Sequence, residues 1–175
     1  YLTTSSTDKN NVDVVNNEIK ALNLYDQRVI TLDSSTTSSF SNLAFVKDSK
    51  DRQVYIFYLI DGNLFYNTFP ETLSKPIKLA EYPVKINSFK INIEKGILVF
   101  SASVYPEFRD NLSLTKMKDE SEKDKTYQVY EGPILPQNAD EYWNNKMDQL
   151  FVQNLNHTSK SFSLSGVPSN LINQN

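Results

Sequence analysis

The chain has no cysteine, one histidine, one tryptophan and four glycines among 175 residues. Without cysteine there is no disulfide and no thiol nucleophile. A zinc site draws several ligands from Cys, His, Asp and Glu, and one histidine with no cysteine argues against one. A Ser-His-Asp triad needs a histidine, an orienting acid and an exposed nucleophile. His157, the sole histidine, reads as part of a turn over Asn154–Ser159. No Gly-x-Ser-x-Gly elbow occurs, and the nearest Ser-Gly, Ser165-Gly166, lacks the first glycine. Gly62, Gly96, Gly132 and Gly166 are too scattered for a phosphate-cradling loop. No apolar run is long enough to span a bilayer as a helix. No basic stretch followed by an apolar one opens the chain, so no signal peptide is expected there. A start at Tyr1 rather than Met fits a processed or trimmed chain. With a net charge of −3 and a pI near 5.2, there is no broad basic field to draw nucleic acid. The expectation is therefore no catalytic, cofactor-binding or metal-binding residue, and a soluble chain, cytoplasmic or secreted.

The acidic residues invite two further readings. Asp8, Asn10 and Asp13 suggest a calcium loop, but Val12 occupies a ligand position and the required glycine is missing; a solvated loop over Thr7–Asn11 is the plainer reading. Asp140 and Glu141 form a carboxylate pair of the kind glycosidases use, yet 21 acidic residues generate adjacent pairs without function. Two triplets, Asn111-Leu112-Ser113 and Asn156-His157-Thr158, fit the N-glycosylation pattern. They make Asn111 and Asn156 the candidate modification sites.

What the chain does have is aromatic and β-branched residues. Ten Tyr and ten Phe favour strands over helices. In order, a weak strand signal covers Tyr1–Ser6, and Glu18–Leu24 and Arg28–Leu32 form a strand pair turning at Asp26-Gln27. Asp33–Ser39 is a Ser/Thr-rich connector. Phe40, Leu43 and Phe45 mark a strand, and Lys47–Asp51 a charged, solvated turn. Val54–Ile60 is the strongest strand. Val54, Ile56, Tyr58 and Ile60 face one way and Tyr55, Phe57 and Leu59 the other, so both faces are expected to be covered. Asp61-Gly62 is a tight hairpin signal leading into Asn63–Phe69, and Ile77–Leu79 follows. Phe89–Ile93 turns through Glu94-Lys95-Gly96 into Ile97–Ala102.

An internal repeat organises these strands. Ile19…Leu24 followed by Ile30 and Leu32 matches Leu64…Phe69 followed by Ile77 and Leu79. It also matches Leu150…Leu155 followed by Phe162 and Leu164. The spacing is 45 positions from Ile19 to Leu64, 47 from Leu32 to Leu79 and 86 from Leu64 to Leu150. A period of roughly 40–50 residues is the mark of propeller blades, and the doubled interval contains an insertion. The inserted stretch leaves the strand at Val104-Tyr105-Pro106. Phe108, Leu112 and Met117 suggest a short amphipathic helix. Lys116–Lys125 is charged and near neutral, a solvated helix or loop. Tyr142, Trp143 and Met147 are read as anchors back onto the sheet.

The stretch Asn87-Ser88-Phe89 … Gly96-Ile97-Leu98-Val99-Phe100-Ser101-Ala102-Ser103-Val104-Tyr105-Pro106 resembles the N-terminal propeller of the prolyl oligopeptidase family of serine peptidases, in its acylaminoacyl-peptidase and dipeptidyl-peptidase-like members. So do Val129-Tyr130, Trp143, Leu150-Phe151-Val152 and Ile77-Lys78-Leu79 … Tyr82-Pro83. The likeness covers about residues 64–165. It departs at Glu141, Tyr142 and Asn144 around the tryptophan, and at the Glu94-Lys95-Gly96 turn. The resemblance implies an all-β, partial propeller of about three four-stranded antiparallel blades. Residues 1–39 would be an incomplete first blade and connector, 40–83 the second blade, and 84–168 the third with an insertion at about 107–147. Residues 169–175 would be a connector. It implies a non-catalytic segment that gates short peptides toward an α/β-hydrolase domain absent from this chain. The remaining blades and that domain are the implied partners. Two alternatives stand beside it: a free-standing β-rich module that binds protein or sugar, and a propeller scaffold of an unrelated interaction protein.

Overall fold

The computed structural model describes residues 1–9, 12–49, 52–69, 75–108, 111–123, 146–158 and 161–171. These form three antiparallel meanders and one α-helix. The first sheet holds β1 (Leu2–Lys9), β2 (Val12–Leu22) and β3 (Val29–Ser35). The middle sheet holds β4 (Phe40–Lys47), β5 (Val54–Ile60), β6 (Asn63–Phe69) and β7 (Ile77–Ala80). The third holds β8 (Ile86–Asn92), β9 (Ile97–Val104), β10 (Met147–Thr158) and β11 (Ser161–Asn170). Between β9 and β10 lie a 3₁₀ turn, Pro106–Phe108, and the helix α1 (Leu112–Lys123).

The middle sheet lies between the other two because β5 is apolar at every position. Side chains alternate across a strand, so a strand written Tyr-Ile-Phe-Tyr-Leu must bury both faces. Tyr55, Phe57 and Leu59 join Leu98, Phe100 and Phe151 of the third sheet in one core. Ile56 and Tyr58 join Ile19 and Leu32 of the first sheet in a second core. Phe162 of β11 is the knob of the larger core. Its ring meets Tyr55, Phe57 and Tyr66 edge-on, at centroid distances of 4.7, 5.1 and 5.0 Å. That geometry suits the aromatic quadrupole.

Two glycines are required by close approach. The β5–β6 turn has φ of 50° at Asp61 and 80° at Gly62, the left-handed pair that tight hairpins need. The strand entering the third sheet passes directly over it. A Cβ on Gly62 would stand 2.6 Å from Lys85 Cβ, and Ile86 N donates to Gly62 O at 2.9 Å. At Gly96 a Cβ would stand 2.8 Å from Leu155 O, and Leu155 N donates to Gly96 O at 2.8 Å.

The β-rich class, the paired faces of Val54–Ile60 and the hairpin at Asp61-Gly62 hold as read from the sequence. Several local readings do not. Thr7–Lys9 continues β1 rather than opening a loop. Positions 8 and 13 lie opposite each other on paired strands, and Asn10 lies outside the described residues. β3 runs to Ser35, into the expected connector, because Asp33, Ser34 and Ser35 continue its pairing with β2 opposite Ile19, Glu18 and Asn17. His157 sits in β10, not in a turn. Met117, assigned to an apolar helix face, is 63% exposed. β11 extends to Asn170, past the expected end of the third unit. Trp143, Tyr142 and the Val129-Tyr130 step lie outside the described residues.

Candidate functional site

The inserted helix α1 and the strand end that precedes it enclose a polar site. Asn111 caps the helix, its Oδ1 accepting from Leu114 N at 3.1 Å, as an Asn at this position does best. Leu112 and Thr115 are the helix's buried residues. Asp119 and Glu122 continue the same stripe, because positions three and four apart share a helix face. The stripe begins apolar and ends acidic.

The acidic end meets Tyr105, which follows β9 and is 2% exposed. Its hydroxyl lies 3.0 Å from Glu122 Oε2 and 3.2 Å from Asp119 Oδ1. Burial, then the hydrogen bond to Glu122 and the carboxylate charges, push the Tyr105 phenol up from its ordinary value. Lys146 donates to Asp119 Oδ2 at 2.6 Å. Lys118 sits over the Tyr105 ring, with Nζ 4.0 Å from the ring centroid, a cation–π contact. Lys118 also donates to Glu107 Oε1 at 2.8 Å, which holds the Glu107 carboxyl below the usual carboxylate range. Tyr105 is thus clamped at its hydroxyl and over its ring, and the charged helix is tied to the end of β9 through it.

Beside this clamp is a cavity of about 640 Å³. Its walls are the connector into the third sheet (Pro83, Val84, Lys85), the ends of β8 and β9, and the helix. Lys85, Lys116 and Lys123 supply positive charge and Asp119, Glu120 and Glu122 negative charge. Asn87 Nδ2 donates to Ser103 Oγ and Asp148 Oδ1, both at 2.8 Å, and fixes the floor. A second cavity of about 380 Å³ opens at the other end of the helix, against Tyr82, Val167 and Pro168. The larger cavity has the size of a ligand site and polar groups of both signs. Its walls carry hydrogen-bonding and charged groups that bind and orient. No group of three or more His, Asp or Glu residues close enough for a metal occurs among the described residues.

The candidates from the sequence fall elsewhere. Asn111 is exposed and engaged as the helix cap. Asn156 is exposed on β10, opposite Ser163. The structure does not bring them together. The residues that build the clamp were not legible as a site. An apolar template skips Asp119 and Glu122, although the spacing 112, 115, 119, 122 is that of a buried helix stripe.

A buried pair was also missed. The Lys47–Asp51 turn reads as solvated, but Asp48 is 4% exposed and its Oδ2 lies 3.2 Å from His157 Nδ1. His157 in turn stacks on Phe162, with ring centroids 4.4 Å apart. This pair joins the middle and third sheets.

A scan against protein-family models, a search of curated proteins and a search of solved structures each find no match to this chain.

Proposed function

We propose that this chain is an arc of a β-propeller that acts without catalysis of its own. On this reading it belongs to a serine peptidase of the prolyl oligopeptidase kind, where it gates short peptides toward a hydrolase domain elsewhere. The observation that carries the reading is the stacking of three consecutive meanders, the middle one covered on both faces. A two-layer sandwich does not produce a doubly covered meander; radial repetition does. The insertion supports the gating part. It places a helix of mixed charge over a cleft at the ends of β8 and β9, and a peptide offers that cleft main-chain donors and acceptors and charged termini.

The test compares peptide hydrolysis by the parent polypeptide with that of residues 1–175 alone. Acylated amino acids, dipeptides and longer peptides serve as substrates. The reading predicts no turnover by residues 1–175. It also predicts that Tyr105→Ala, which releases the inserted helix, lets the parent accept longer peptides. Enzyme-like turnover by residues 1–175, or a parent with no peptidase activity on any of these substrates, would defeat it.

A further inference from the structure

The three sheets share a register pattern that aligns their strands. The pairings β5–β6 and β9–β10 are unbroken, while β4–β5, β6–β7, β8–β9 and β10–β11 each carry a register shift. In the first sheet β1–β2 is unbroken and β2–β3 is shifted. The strand β1 therefore corresponds to β5 and β9, the second strands of the other two sheets. No described strand corresponds to β4 and β8, the first ones.

A second, independent observation marks the place. In the second pair after each register shift, Phe45 of β4 pairs with Ile56 and Phe89 of β8 pairs with Phe100. Ile56 faces the first sheet and Phe100 the middle sheet. Phe45 and Phe89 are thus equivalent residues, each turned toward the preceding sheet. Phe89, which has β4 in that sheet to cover it, is 6% exposed. Phe45 is 51% exposed. An aromatic at the same station in the repeat is bare where the preceding sheet has no first strand. The edge of β1 is also suited to pairing. It runs eight residues in regular register with no proline, without the bulges that blunt natural edges.

We propose that the first sheet takes a fourth strand along β1, antiparallel to it and supplied by the same polypeptide, and that this strand covers Phe45. The source follows from β4 and β8, which are both supplied in cis through short turns to the second strand. The incoming strand should carry one extra residue near its start, as β4 and β8 do at Asn42 and Asn87. Asn42 Nδ2 donates to Asn87 O at 2.6 Å. A corresponding side-chain amide on the new strand would reach the Asn42 carbonyl. The inference rests on the repeat alone and survives failure of the peptidase reading.

The test uses the absence of cysteine. Phe45→Cys introduces the only thiol in the chain. A copy of Phe40–Lys47 is fused ahead of Tyr1 through a short turn, and a Gly/Ser segment of equal length serves as the control. Thiol-labelling rates and hydrogen exchange of the β1 amides are read. The strand fusion is expected to slow both by about tenfold or more, and the Gly/Ser control neither. No slowing, or equal slowing by the control, would overturn the proposal. So would a dimer of the unfused chain in which β1 and position 45 are already protected, because the occupant would then be a second copy.

Discussion

His157 reaches across from the third sheet to Asp48 at the β4–β5 turn, its Nδ1 3.2 Å from the carboxylate and both side chains nearly buried. The ring is also packed against Phe162 and edge-on to Tyr55, at 4.4 and 5.5 Å between centroids. The contact therefore sits on the seam between two sheets. Replacing the imidazole loses both the contact to Asp48 and the ring stacked on Phe162. His157→Leu should cost about 0.5–3 kcal/mol in urea unfolding. With Asp48→Leu added, the loss should fall short of the sum of the two single losses by about 0.5–3 kcal/mol. Strict additivity would show that the two groups do not act on each other.

Phe57 tests the central packing. It has no exposed surface and touches rings from its own sheet and from β11. Phe57→Ala should cost about 3–5 kcal/mol. A loss well under about 1 kcal/mol would remove β5 from the interior.

Tyr105 tests the clamp. Tyr105→Phe keeps the ring under Lys118 but leaves Asp119 and Glu122 without the hydroxyl donor. A loss of about 0.5–1.5 kcal/mol is expected, the net worth of one hydrogen bond, because Glu122 is exposed and Asp119 keeps Lys146. Exchange of the α1 amides should accelerate while those of β5 do not. Equal acceleration in both would mean that the helix and the sheet open as one unit.

Asp61 gives a pH dependence. Its carboxylate accepts from Ser39 N at 2.9 Å and Ser39 Oγ at 3.1 Å, tying the connector into β4 to the β5–β6 hairpin. The backbone bond from Ser39 is the largest cause of its lowered pKa. A folded value below the unfolded one means the group stabilises the fold above the ordinary carboxylate pKa of about 3.9. That contribution disappears as pH falls through the lowered value. Because the group is exposed, it should be less than about 1 kcal/mol. The stability difference between the native chain and Asp61→Asn should shrink on acidification across that window; a difference that grows on acidification would contradict the assignment.

The sheets were legible because their signal is local. Val54–Ile60 declares itself by β-branched and aromatic content, and Asp61-Gly62 by the φ values only such a pair adopts easily. The repeat was legible because it recurs in the last two strands of each sheet: β2–β3, β6–β7 and β10–β11. Those are the hairpins that the spacing from Ile19 to Leu64 and Leu150 picks out. Asp48 was not legible, because its partner lies 109 positions away on another sheet and charged turns normally face water. The clamp stayed hidden for a related reason. A tyrosine that ends one strand and two acids on a helix form a site only when the chain folds back, and no spacing rule links them.

The most direct measurement of the propeller account is light scattering with thermal melting on residues 1–175. The outward side of the third sheet carries Val99 and Val152, paired across β9 and β10, with Leu150 46% exposed beside them. In a ring this stripe meets the next sheet, since each repeat needs its neighbours for a continuous core. The account predicts that residues 1–175 associate as concentration rises and melt broadly, and that Val99→Lys with Val152→Lys restores a monomer. A monomer that stays monodisperse at every concentration and melts cooperatively without those substitutions would contradict it.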